Sequence, residues 1–308
     1  MDISILYTQI VIMFLLMGVG AICYRRGIVT EEGSGQMSTL IMTFVAPCVI
    51  IHSFCRSFDP AMLNKLILSF GLSVLLLAVS IALATLVFRK GSADYADKRL
   101  CVIFSNNGFM ALPLLQALYG DDGVFIGSIN IVATNILIWT YGVWLLSRAS
   151  GRASGVNWRK IVLNPGTIGF FIGLAIFLTS FQLPEILGST VSFLADLNTP
   201  LAMIVLGVYL AQSNLRESLR DRSMYLVALF RLAAIPLLGI ALLLLLPFDR
   251  SVCSVLIISI SMPCAVASSM FAQMYGTNYR YSSRIIAFST LLSAATMPLV
   301  LSLYQMLV

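Results

Sequence analysis

Ten apolar runs, each about 20 residues long and cut by short polar connectors, leave this chain almost no route to a water-soluble fold. They cover 4–24, 36–55, 64–88, 98–119, 124–147, 161–181, 186–212, 223–246, 251–275 and 282–306. Twenty helical residues rise about 30 Å, the thickness of a bilayer's hydrocarbon core, and within lipid a single segment meets its own backbone hydrogen bonds only as a helix. Of 308 residues, 59% are hydrophobic and 10% charged, against roughly a quarter charged in a soluble domain. A polar coat cannot be built from so few charges, so the sequence predicts an all-α integral membrane protein with ten transmembrane helices and the lipid bilayer as solvent. Net charge is +6, but the bases fall in short loops without a basic block, so no nucleic-acid partner is expected. The first run, in MDISILYTQIVIMFLLMGVGAICYRR, has an acid where a signal peptide needs bases and reads as a retained span. Cysteines 23, 48, 55, 101, 253 and 264 lack CxxC spacing and read as small buried hydrophobes. No metal or cofactor is expected.

The longest connector, 148–160, is polar and basic and divides the chain into 1–147 and 161–308, five runs each. Loops after odd-numbered runs hold fifteen of the lysines and arginines, and the opposite side holds three, Arg56, Lys65 and Arg250. Cytoplasmic loops carry the excess, so both termini are expected outside the cytoplasm. An odd number of spans per half makes any repeat inverted. Matching features support one: Tyr119-Gly120 with Tyr275-Gly276, Thr134 with Thr290, and Thr140 with Thr296.

Prolines recur in register too. Pro47 and Pro200 fall in the second run of each half, and Pro113 and Pro263 in the fourth. Proline lacks a main-chain donor and its ring collides with the preceding turn, so these four positions are expected helix breaks, tolerated only where protein, water or ligand meets the bare backbone. Ser105, Asn106, Asn107 and Gly108 precede Pro113, and Ser259, Ser261, Cys264, Ser268 and Ser269 surround Pro263. If the two breaks cross, the positive N-terminal ends of half-helices face one cavity and suit a carboxylate. Asn106, Asn107, Pro113, Ser261, Pro263 and Cys264, with Asn198 ahead of Pro200, are the candidate substrate contacts. The alternative is that these prolines only kink packed helices.

Two charges lie about 14–15 Å into their spans at 1.5 Å per residue: Asp196 and Arg231. Either they neutralise each other as a structural pair, or Arg231 draws a substrate anion and Asp196 carries a proton or sodium ion. His52, the lone histidine, reads as interfacial. Asn130, Thr134 and Asn135 lie about a turn apart and either face a cavity or bond to neighbouring helices. Gly169 and Gly173 form a GxxxG that marks close packing of the sixth span.

These residues resemble the auxin efflux carrier family, which includes plant auxin exporters and bacterial malate and malonate permeases. Asn106 stands seven before Pro113 as the family asparagine does, although Ser105 replaces the proline that precedes it in plant members. MPCAVASSMFAQMY (262–275) is similar to the family's ninth span through Pro263, Phe271, Ala272 and Tyr275, with Ser268 in place of a second proline. LNTPLAMIVLG (197–207) resembles the seventh span of bacterial members. The resemblance implies the crossover fold of bile-acid symporters and sodium/proton antiporters, with broken helices 4 and 9 crossed. It also implies a homodimer and an elevator in which spans 1, 2, 6 and 7 are the scaffold, with the anion held near Asn106, Pro113 and Pro263.

The expected function is therefore secondary transport of a small organic anion, a mono- or dicarboxylate, across a bacterial inner membrane. A sodium- or proton-coupled exchanger on the same fold is the nearest alternative, and a non-transporting membrane receptor the next. No paired-carboxylate, HExxH or GxSxG arrangement points to an enzyme.

Overall fold

The computed structural model describes residues 3–151, 159, 162–213, 215–245 and 247–308, so most of the 148–160 connector lies outside the described residues. What is described is helical. The elements are α1 (Ile3–Arg25), α2 (Glu31–Phe54), α3 (Pro60–Val87), α4 (Tyr95–Ile103), α5 (Asn107–Ser150) and α6 (Pro165–Thr179). They continue with α7 (Glu185–Gln212), α8 (Leu215–Arg220), α9 (Arg222–Leu244), α10 (Arg250–Ile260), α11 (Ala267–Tyr275) and α12 (Tyr279–Leu307). Seven of them, α1, α2, α3, α5, α7, α9 and α12, are long and apolar enough to cross a membrane, and α6 and α10 are shorter apolar helices. Several starts are capped by the residues that favour it: Thr30 accepts from Gly33 N, Asn164 from Gly166 N, and Asp249 from Ser251 N and Val252 N.

Most of these prolines do not sit where the chain opens. Pro47, Pro113 and Pro236 each follow a five-residue π turn by two positions: Ile41–Val45, Asn107–Ala111 and Phe230–Ala234. The carbonyl that a proline ring strikes belongs to the residue four before it, here Thr43, Phe109 and Leu232, each at the centre of its π turn. Widening the turn relieves the collision and keeps the helix running. Pro47 and Pro113 are thus accommodated within helices rather than breaking them. Pro200 lies in the second stretch of α7, just beyond a single turn residue, Leu197. Of the four expected break sites, only Pro263 stands in non-helical backbone, and the other opening lies at 104–106, ahead of Asn107.

By packing, the chain forms two compact units, and each takes segments from both sides of the connector. The first unit is Met1–Phe70, Gly108–Val132 and Arg159–Gln212. Here α1 and α7 meet backbone to backbone: a Cβ on Gly207 would stand 1.9 Å from the Met17 carbonyl oxygen, and one on Gly20 would stand 2.0 Å from that of Ile204. Helix α6 also lies close on α2, with Gly169 against the Pro47 backbone and Gly173 against the Phe54 side chain, which is the close packing the GxxxG predicts. Phe54 anchors a cluster with Phe125, Phe170 and Phe177. Near the kink that Gly120 makes in α5 (φ 59°, ψ −148°), His52 lies 3.5 Å from Asp121 and Arg56 pairs with Asp122. Ile186 (81% exposed) and Phe193 (74%) on α7 point outward, as side chains solvated by lipid do.

The second unit is Gly71–Asn107, Ala133–Trp158 and Ser213–Val308. Its spine is α12, which packs on α4, α9 and α11 and buries Tyr281, Ile285, Phe288 and Leu301. Asp97 on α4 is buried and ties the α11–α12 turn, accepting from Thr277 Oγ1 at 2.8 Å, Asn278 N at 3.3 Å and Ser282 Oγ at 3.3 Å. Asn278 caps α12 through Tyr281 N and donates Nδ2 to Asp94.

Candidate functional site

Within the second unit, helix α4 ends at Ile103, where Phe104 turns to extended geometry (φ −96°, ψ 124°). Residues 104–106 then run antiparallel to 263–265, the gap between α10 and α11, and form the single isolated bridge described, Ser105 to Cys264. Asn106 N donates to Pro263 O at 2.9 Å and Ala265 N to Phe104 O at 2.9 Å. Proline has no N–H to give, and this pairing asks Pro263 only for its carbonyl. Cys264 N donates to Ser289 Oγ on α12 at 3.2 Å, and Asn107 N to Ser105 O at 2.8 Å. Two openings that hydrocarbon could not tolerate singly thus satisfy each other.

The helix ends entering these openings leave carbonyls without partners, and Arg231 takes them. Its side chain is 1% exposed. Nη1 donates to Val102 O (2.9 Å) and Ile103 O (3.2 Å), Nε to Met262 O (3.1 Å), and Nη2 to Ile260 O. Each helix C-terminus carries about half a negative charge, so the convergent ends of α4 and α10 supply the counter-charge that the sequence alone sought in a carboxylate. Asp196 is an exposed residue of the first unit, at the end of the first stretch of α7.

On the departing side, α5 and α11 start at the openings with their positive ends there. Asn106 is 2% exposed, and its Nδ2 has no hydrogen-bond partner among the described residues. The same holds for Ser268 Oγ in the first turn of α11. Asn107 accepts from Ser105 Oγ at 3.2 Å and reaches Thr134 Oγ1 at 3.5 Å. A buried amide without a partner costs free energy that an incoming acceptor recovers. This local chemistry suits an acceptor group bearing negative charge, since helix N-termini and an unpartnered N–H donor both favour one.

Asn106, Asn107, Ser261, Pro263, Cys264 and Arg231 thus belong to one neighbourhood in the second unit, while Pro113, Asn198 and Asp196 belong to the first. Asn198 is buried, with Oδ1 unpartnered among the described residues. Ser261 turns its hydroxyl back onto Ile257 O. The sequence reading missed Ser289. A signal existed: Ser282, Ser289 and Ser293 are spaced seven and four apart, one face of a helix, and all three are buried. Asp97 was missed because it lies at the very edge of an apolar run.

A family model described as membrane transport protein matches residues 5–154 and 151–301. An uncharacterized transporter of Methanothermobacter thermautotrophicus is 26% identical over 92% of this chain and 94% of its own length. Auxin efflux carrier component 8 of Arabidopsis thaliana is 21% identical over 96% of each chain. A Rhizobium meliloti protein provisionally named a malonate transporter is 23% identical over 86% of this chain and 85% of its own. With a transport-family match across both halves and relatives aligned almost end to end, this chain belongs to the membrane transport protein family that contains the auxin efflux carriers.

Proposed function

We propose that this protein is a secondary carrier that moves a small organic anion, a mono- or dicarboxylate, across a bacterial inner membrane by alternating access. The anion rests on the N-terminal ends of α5 and α11, with Asn106 and Asn107 as donors, Pro263 framing the opening and Arg231 adding positive potential. The observation that carries this reading is Asn106 Nδ2, buried and without a hydrogen-bond partner among the described residues, beside two joined helix openings. Of the relatives named above, two have names that specify a cargo, auxin and malonate, and both are carboxylates.

The proposal takes the chain as ten spans in two inverted five-helix repeats. Span four is α4 with the first part of α5, span six is α6, and span nine is α10 with α11. Helix α5 supports the division, because 44 residues would rise about 66 Å unbent, twice the hydrocarbon thickness, and the glycine-only geometry at Gly120 supplies the bend. All of α1, α2, α6 and α7 fall in the first unit, which supports an elevator with those helices as scaffold. The proposal also takes the carrier as a homodimer with both termini outside.

The test is a thermal-shift series on purified protein with acetate, malonate, malate, succinate and indole-3-acetate, followed by uptake of each hit in proteoliposomes. A true ligand raises the unfolding midpoint progressively as its concentration passes the dissociation constant. No shift and no uptake across the series would sink the proposal.

A further inference from the structure

We infer that Arg231 is a positioning residue for the anion: without touching it, Arg231 cancels the negative ends of α4 and α10 so that the positive ends of α5 and α11 govern the field at the opening. This rests on the carboxylate reading above. The guanidinium has five N–H donors, and its hydrogen bonds to Val102, Ile103, Ile260 and Met262 carbonyls engage Nε, Nη1 and Nη2 alike. Every hydrogen bond it makes among the described residues goes to main chain, and it is 1% exposed. A group so committed has little left to offer a ligand.

The charges balance. Two helix C-termini carry about half a negative charge each, about one in total, against one guanidinium. Remove the guanidinium and that negative charge stands uncancelled, half at Ile103, three residues from Asn106, and half at Ile260, three residues from the Pro263 that Asn106 bonds, each within about 11 Å of its end of the pairing even along extended chain. At that range, with an effective dielectric near 20, one charge repels a carboxylate enough to weaken binding about tenfold.

The experiment compares wild type with Arg231→Lys, Arg231→Met and Asn106→Ala, using malonate and acetate as probes. Each purified protein gives an unfolding midpoint without ligand and a dissociation constant from ligand-dependent shifts. Arg231→Lys keeps the charge but reaches fewer carbonyls, so its ligand-free midpoint falls while affinity stays within about threefold of wild type. Arg231→Met lowers the midpoint and weakens both probes by about tenfold or more. Wild-type affinity in Arg231→Met would reduce Arg231 to a structural clamp. Lost affinity with an unchanged ligand-free midpoint would make it a direct ligand. Either overturns the inference. Should Arg231→Met not fold, Arg231→Lys decides: a loss beyond about tenfold with the charge retained overturns it. If wild type binds neither probe nor any other acid of the series, the carboxylate reading falls and this inference with it. If wild type binds and only Asn106→Ala loses affinity, the reading stands and the inference alone fails.

Discussion

Asn106 donates its backbone N–H to the carbonyl of Pro263 at 2.9 Å, joining two openings in the chain that lie more than 150 residues apart in sequence. The same residue leaves its side-chain Nδ2 unpartnered among the described residues. Backbone and side chain of one asparagine thus have separate parts: one joins the openings, and the other is the donor proposed for the anion.

Asn106→Ala separates those parts. The main-chain bond survives, and the deleted Nδ2 had no partner to lose, so stability should fall by less than about 1 kcal/mol. A hydrogen bond to a charged ligand is worth about 1.5–3 kcal/mol, so malonate binding should weaken about ten- to a hundredfold. Asn106→Asp, the same shape with a negative charge, should abolish binding. Thermal midpoints and proteoliposome uptake measured on the same preparations check this, and a variant that unfolds early yet binds normally would contradict it.

The openings were legible in the sequence only as a neighbourhood. Of the four prolines expected to break helices only Pro263 stands in an opening, and at Pro47 and Pro113 the chain answers the ring's collision with a π turn, an option that residue patterns do not separate from a true break. What opens the chain at 104–106 is pairing with 263–265, a contact fixed by tertiary structure. Arg231 was visible as a costly intramembrane charge, yet its partners are main-chain carbonyls, which every sequence has and none advertises. The GxxxG at Gly169 and Gly173 was readable because small residues at that spacing serve one purpose in a membrane helix, letting another helix come close.

Gly207 makes the tightest such approach. A Cβ there would lie 1.9 Å from the Met17 carbonyl oxygen, and backbone cannot step aside as a flexible side chain can. Gly207→Ala should therefore cost more than about 2 kcal/mol, by prising α1 off α7. Gly71→Ala is the control: nothing lies within 4 Å of its Cβ position, and alanine should gain up to about 1 kcal/mol of helix propensity. Thermal denaturation in detergent should rank them Gly71→Ala, wild type, Gly207→Ala from most to least stable.

Asp97 holds the turn between α11 and α12 through donors from Thr277, Asn278 and Ser282. Asp97→Ala strands those donors and should cost about 3 kcal/mol, while Asp97→Asn keeps one good acceptor and should cost about half as much. Asn278→Ala removes the α12 cap and the bond to Asp94, for about 1–2 kcal/mol. Equal midpoints for Asp97→Ala and wild type would show that the turn holds without the carboxylate.

The proposed orientation makes a separate demand. Cys55 is exposed at the end of α2 beside Arg56, on the side poor in basic residues, whereas Cys23 lies beside Arg25 and Arg26 on the rich side. A membrane-impermeant maleimide applied to intact cells should label Cys55, and Cys55→Ser should remove that signal. Labelling of Cys23 in Cys55→Ser cells would reverse the assignment of inside and outside.

Ser289 offers the sharpest local test of the joined openings. Its hydroxyl accepts from Cys264 N at 3.2 Å, the one donor in 263–265 that the antiparallel pairing leaves over, since Pro263 has none and Ala265 N is spent on Phe104. Ser289→Ala leaves that N–H buried and unpaired, at a cost of about 1–3 kcal/mol, and the strain falls on the pairing itself. Hydrogen exchange should therefore quicken at Cys264 and, through the loosened pairing, at Ala265 and Asn106, while exchange in α1 stays as in wild type. Ser289→Thr keeps the hydroxyl and should exchange like the parent. Were Ser289→Ala to leave the Asn106 amide as protected as before, the two openings would be held by something other than each other.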